Sequence, residues 1–273
     1  MGDIIVYIAI NVREDEKICL VANDLNDSFT TKLDSINRVE KSWSNYILGI
    51  VDQLLKKVSP LKGFNAVLGG DVPIGAGLSS SAAVECATIF ALNELFILNL
   101  GKLSMVKLAQ KAEHEFAGVQ CGIMDQFANM FGKKDHVIRL DCRSLEYEYF
   151  PFCMDEVEIV LFDTQVKHSL ASSEYNLRRS QCEEAVALIQ KYVPEVKSLR
   201  DVTLGMLEKY LLKKNAIVYN RCKYIVEENI RLQAACNDLV NADMKAFGER
   251  MYATHEGLSK LYVLYTIIAQ ALR

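Results

Sequence analysis

What these 273 residues lack removes several classes of function. None of the eight cysteines (Cys19, Cys86, Cys121, Cys142, Cys153, Cys182, Cys222 and Cys236) belongs to a CxxC pair. Most sit inside apolar runs, so they read as reduced core residues of a cytoplasmic protein rather than a disulfide frame. The four histidines stand apart with no HExxH spacing, which removes the common zinc signature. There is no Lys/Arg run, and the formal net charge is -4, so nucleic acid is not an expected partner. The start of the chain is apolar but carries Asp3 and no basic n-region, making it a poor signal peptide and a better strand. The apolar stretch at 261–272 is too short to span a bilayer, so no membrane role is expected. Internal repeats, low-complexity segments, the Lys-bearing P-loop and the dinucleotide fingerprint are absent as well.

What is present is ordinary for a globular protein, at 51% hydrophobic and 24% charged residues. The length suits one large domain or two modest ones. Residues 4–12 and 17–23 are β-like runs around the charged turn Arg13-Glu14-Asp15-Glu16 and suggest a hairpin, with 29–33 as a third strand. Residues 43–58 carry a helical apolar stripe, and 64–68 form a short strand. Helices are expected over 79–98, over 105–116 with Ser104 as cap, and over 126–131. Strands are expected at 137–142, 146–151 and 157–163. Beyond Ser173 the pattern is helical over 174–192, 204–212, 221–239 and 245–262. Mixed elements followed by helices make an α+β class, with a boundary near 163–173.

The stretch that organises the chain is Asp71-Val72-Pro73-Ile74-Gly75-Ala76-Gly77-Leu78-Ser79-Ser80-Ser81-Ala82-Ala83-Val84-Glu85. Its glycines permit close backbone approach and positive φ. The hydroxyl residues after them are of the kind that caps a helix. Backbone N–H groups leading into a helix N-terminus form an anion site, often one for phosphate. An ordinary capped helix after a Gly turn is an equally open reading of these residues. A second stretch, Cys121-Gly122-Ile123-Met124-Asp125-Gln126-Phe127, places Asp125 among apolar residues where a helix begins. Asp125 is either a helix cap or a carboxylate that accepts a proton from a substrate hydroxyl.

The first string resembles the second signature of the GHMP small-molecule kinases, and the second resembles the segment carrying the catalytic aspartate in their galactokinase branch. The resemblance implies the GHMP kinase fold: a mixed α/β ATP-binding domain over 1–165 and a mostly helical α+β domain over 166–273. It implies that Gly75, Ala76, Gly77, Leu78, Ser79, Ser80 and Ser81 hold ATP phosphates, with Trp43 of a Trp-x-x-Tyr segment completed by Tyr46 beside the adenine. It implies that Asp125 is the base, that Gly122 and Tyr175 line the galactose pocket, and that Ser81 and Glu113 hold Mg²⁺. Asp141-Cys142-Arg143-Ser144-Leu145 extends the match as a strand end of structural role.

Two signatures of that family are not found here: an N-terminal Arg segment with Gly-Glu-His-Thr-Asp-Tyr, and a C-terminal Gly-Gly-Gly-Phe-Gly-Gly loop. On the resemblance, the chain is expected to be truncated at both ends. It would lack a transition-state arginine, be a very poor galactokinase, and expose apolar faces such as Ile5, Tyr7 and Leu264 that favour self-association. Three functions stay open: a galactokinase making galactose 1-phosphate from ATP and galactose, a kinase for a related hexosamine, and a non-catalytic galactose or ATP binder.

Overall fold

Alternating apolar residues in the first strands build a sheet with one lined face. The computed structural model describes residues 5–40, 42–57, 61–72, 78–152, 160 and 171–262, without the side chains of 42 and 171–175. Four strands, β1 (Val6–Val12), β2 (Lys17–Ala22), β3 (Asp27–Lys32) and β4 (Phe64–Gly70), pair in the order β1-β4-β2-β3. The expected hairpin of β1 and β2 is not formed. β4 lies between them, antiparallel to β1 and parallel to β2, and β2 makes its hairpin with β3 instead. The reason is burial. In β4, Phe64, Ala66 and Leu68 are buried, and the register puts Ile8 opposite Leu68 and Ile18 opposite Phe64, so the most apolar strand takes a central place. The charged turn after β1 bridges the start of β4, where Arg13 N–H donates to Gly63 O at 2.8 Å. Tyr7, Val21 and Val67 lie exposed on the other face, and Ile5 is exposed as expected. Leu264 lies outside the described residues.

Helices cover the lined face. α1 (Ser42–Lys57) packs on α2 (Ser80–Leu95) and α3 (Lys102–Ala112), while α4 (Met124–Phe131) packs on α2 and α3. Ile47, Ile50, Leu54, Ile89, Leu92 and Phe127 of these helices are buried. α2 ends sooner than its apolar spacing suggests, because Ile97 and Asn99 adopt positive φ of 52° and 55°. Ser104 is no cap. The extended residue before α3 is Gly101, so Ser104 lies inside the helix.

The chain divides into two compact units, Met1–Lys134 with Leu140–Glu146, and Asp135–Arg139 with Tyr147–Arg273. In the second, β5 (His136–Leu140) pairs with β6 (Tyr147–Pro151). Helices α5 (Ala171–Gln190), α6 (Leu204–Tyr210), α7 (Ala216–Val240) and α8 (Met244–Gly257) follow. Ala185 and Ile189 of α5 meet Leu207 of α6 and Val218, Cys222 and Val226 of α7 in one core. Caps set the helix starts: Asn215 accepts from Val218 N–H at 3.1 Å and Asp243 from Ala246 N–H at 2.9 Å. The strand expected at 157–163 lies outside the described residues but for Val160, and the boundary expected near 163–173 falls mostly outside them. Among the described cysteines, Cys86, Cys222 and Cys236 are buried, whereas Cys142 is exposed rather than a core residue.

Candidate active site

A single wide helical turn organises the chemistry of the first unit. Where α3 ends, Glu113–Ala117 forms one π-helical turn, closed by Gly118 at φ +77°, a value that favours glycine. Three successive side chains fix the turn. Glu115 accepts from Gln53 Nε2 of α1 at 2.7 Å and from Lys56 Nζ at 3.3 Å, and the Gln53 bond is the main reason its carboxyl lies below the usual range. His114 Nε2 donates to the Cys121 carbonyl at 2.8 Å. Glu113 turns inward. α1 approaches closely enough that a Cβ added at Gly49 would lie 2.9 Å from Phe116 Cβ.

Inside, two carboxylates meet over one amide. Glu113 Oε1 accepts from Ser81 Oγ at 3.1 Å, bridging the π turn to the first turn of α2. Its Oε2 accepts from Gln126 Nε2 at 2.7 Å and from Cys121 Sγ at 3.3 Å. The same Gln126 Nε2 lies 3.2 Å from Glu85 Oε2. Glu113 is 7% exposed, and Glu85 and Gln126 are 0% exposed. Burial first, and the nearby Glu113 second, push the Glu85 carboxyl up to about 9 against the opposing pull of Gln126. The same two causes, burial first, raise the Tyr46 phenol and the Cys121 thiol.

Asp125 is the second residue of α4, half-buried and immediately before Gln126. It does not cap the helix. The cap position belongs to Ile123, and no side-chain cap bond is made there. With its neighbour Gln126 turned into the carboxylate cluster, Asp125 and Glu113 are tied to one another through adjacent residues of one helix. Gly122 is exposed in the loop before α4.

On the other side of Ser81 a cavity of about 120 Å³ is lined by Trp43 and Tyr46 of α1, Ser80 and Ser81 of α2, and Asp24, Gly70 and Val72. Trp43 is held there by its indole, which donates to Asp27 Oδ2 at 3.0 Å. Ser79 sits before α2 in the left-handed region, at φ 54°. The structure therefore brings Trp43, Ser80, Ser81 and Glu113 together around the start of α2, with Leu78 and Ser79 leading in, and holds Asp125 in the same unit. Gly75, Ala76 and Gly77 lie outside the described residues, as does the side chain of Tyr175 in α5.

Three participants escape a reading of motifs: Glu85, Gln126 and Cys121. Glu85 left a legible signal, since it stands between Val84 and Cys86 on the same helix face as Ala82 and Ile89, where a carboxylate is costly to bury. Gln126 left none, because an amide beside an aspartate is unremarkable in sequence.

Residues 45–133 match the GHMP kinases N terminal domain family. The chain is 40% identical over 256 residues to the galactokinase of Thermosipho africanus, which covers 94% of this chain and 70% of the relative. It is 40% identical over 259 residues to the galactokinase of Thermotoga maritima, with the same coverage of 94% and 70%. Among solved structures, that of Lactococcus lactis galactokinase complexed with galactose matches with a TM-score of 0.85 at 31% identity, covering 95% of this chain and 68% of that one.

Proposed function

The chain belongs to the galactokinases, within the GHMP kinases, and from that premise we propose that it transfers the γ-phosphoryl group of ATP to the anomeric hydroxyl of galactose. The observation that carries the reading is the Ser81–Glu113–Gln126 chain of hydrogen bonds, which joins the start of α2 to the residue following Asp125. Phosphoryl transfer asks a protein mainly for positioning and charge stabilisation, and this cluster supplies fixed oxygens beside a helix N-terminus.

In this reading Asp125 accepts the proton of the sugar hydroxyl as that oxygen attacks phosphorus. Being half-exposed on a short helix and engaged in no cap bond, its carboxylate is available for that bond. Residues 75–81 hold the phosphates, and Trp43 with Tyr46 forms the wall beside the adenine. Gly122 and Tyr175 are assigned to the sugar.

Mg²⁺ fits the donor set. Ser81 Oγ and Glu113 Oε1 are hard oxygens 3.1 Å apart, and among the described residues no group of three His, Cys, Asp or Glu side chains forms a self-sufficient metal cage. Such a sparse set suits a cation that draws its remaining ligands from water and nucleotide phosphates. When bound, it neutralises charge on the transferring group. The buried thiols Cys86, Cys222 and Cys236 and an ATP substrate suit a reducing cytoplasm. Among the described residues no helix is long and apolar enough to cross a membrane.

The test is galactose 1-phosphate formation by the purified chain with ATP and Mg²⁺, with galactosamine and N-acetylgalactosamine as competing acceptors. Product from galactose with none from the hexosamines is the expected result. ATP binding by folded protein without sugar-dependent turnover would leave a binder rather than a kinase.

A further inference from the structure

The reading above assigns Ser81 and Glu113 to a cation and uses the amide behind them only as a link, with no role of its own. Gln126 is fully buried, and its Nε2 is committed to carboxylates on both sides, Glu113 Oε2 at 2.7 Å and Glu85 Oε2 at 3.2 Å. Its Oε1, like Glu85 Oε1 and the Thr88 hydroxyl, is buried without a hydrogen-bond partner. A side chain optimised only for core stability would not leave these atoms unsatisfied. Every bond that Gln126 Nε2 makes to an oxygen is spent on orienting an acid.

We infer that Gln126 is a positioning residue for Glu113, fixing that carboxylate so that Oε1 stays at the Ser81 hydroxyl and ready for a cation. This rests on the assignment of Ser81 and Glu113 to the metal. The chemistry explains why an amide serves. A lysine here would neutralise Glu113 and compete with the cation, and a carboxylate would repel it. A neutral donor holds Oε2 and leaves the negative charge in place. The Cys121 thiol, at 3.3 Å, is a weaker second donor to the same oxygen. Because Gln126 directly follows Asp125 on α4, this anchor also fixes the helix carrying the proposed base relative to the proposed metal ligand.

The experiment measures ATP affinity of the full chain by calorimetry, in EDTA and in Mn²⁺, for wild type and Gln126→Leu. Wild type should bind ATP more tightly with Mn²⁺ than in EDTA. Gln126→Leu should lose about tenfold or more of that metal-dependent gain while its EDTA affinity stays near wild type. Its melting temperature should fall, because buried carboxylates lose their donor. A purely structural amide would lower the melting temperature and leave the gain intact, and that outcome overturns the inference. If Gln126→Leu does not fold, the double variant Glu85→Gln/Gln126→Leu leaves no acid at 85 and carries the same expectation. Absence of any Mn²⁺ effect in wild type would instead reject the metal assignment itself, and the inference with it.

Discussion

Glu85→Gln isolates the cost of burying an acid beside Glu113. The two side chains have nearly the same shape, so the variant changes ionisation and little else. In the folded chain the Glu85 carboxyl is held up at about 9, from an ordinary 4.5, by burial first and Glu113 second. A raised carboxyl binds its proton more tightly folded than unfolded. Its contribution to stability is therefore complete below about pH 4.5 and is lost as pH rises toward 9. Each unit is worth 1.36 kcal/mol, which sets a ceiling of about 6 kcal/mol over the whole window. Relaxation and water entry reduce such figures, so a loss of about 2 kcal/mol between pH 5 and pH 7 is expected, absent in the variant. Urea unfolding of both proteins at pH 5, 6, 7 and 8 measures it. The wild-type curve should fall relative to the variant as pH rises, because titrations common to both cancel in the difference. A difference that stays constant across this range would refute the argument, and with it the account of how two acids share one amide.

Asp125→Asn keeps the shape of α4 and removes the proton acceptor. Galactose phosphorylation should fall by about 10²-fold or more with the melting temperature unchanged, as read by a coupled ADP assay. Gly77→Val places a branched side chain where the phosphate loop is expected, and ATP affinity measured by calorimetry should weaken by roughly tenfold, or 1.4 kcal/mol. Gly49→Val drives a side chain into Phe116, where even a Cβ would come within 2.9 Å, and should cost about 1–3 kcal/mol in urea unfolding.

Much of the candidate site was legible because its residues sit in contiguous strings. Ser81 and Asp125 each stand in a short motif whose residue types point to phosphate and proton handling, and the structure links Ser81 through Glu113 to Gln126, the neighbour of Asp125. Helix spans such as α1 and α7 were legible from periodicity, since an apolar stripe at helical spacing has few other uses. The wide turn at Glu113–Ala117 was not, because a π turn differs from an α turn by one residue of slack and has no compositional mark.

The sequence by itself determined the α+β class and the family. Strand order was beyond it. Alternation says which face of β1 is apolar, and only the docking of β4 between β1 and β2 decides its partner, since pairing depends on which strand can be buried on both edges. The carboxylate cluster was likewise decided in three dimensions. Glu85, Glu113 and Gln126 lie on three different elements, and only their burial around one amide raises the Glu85 carboxyl.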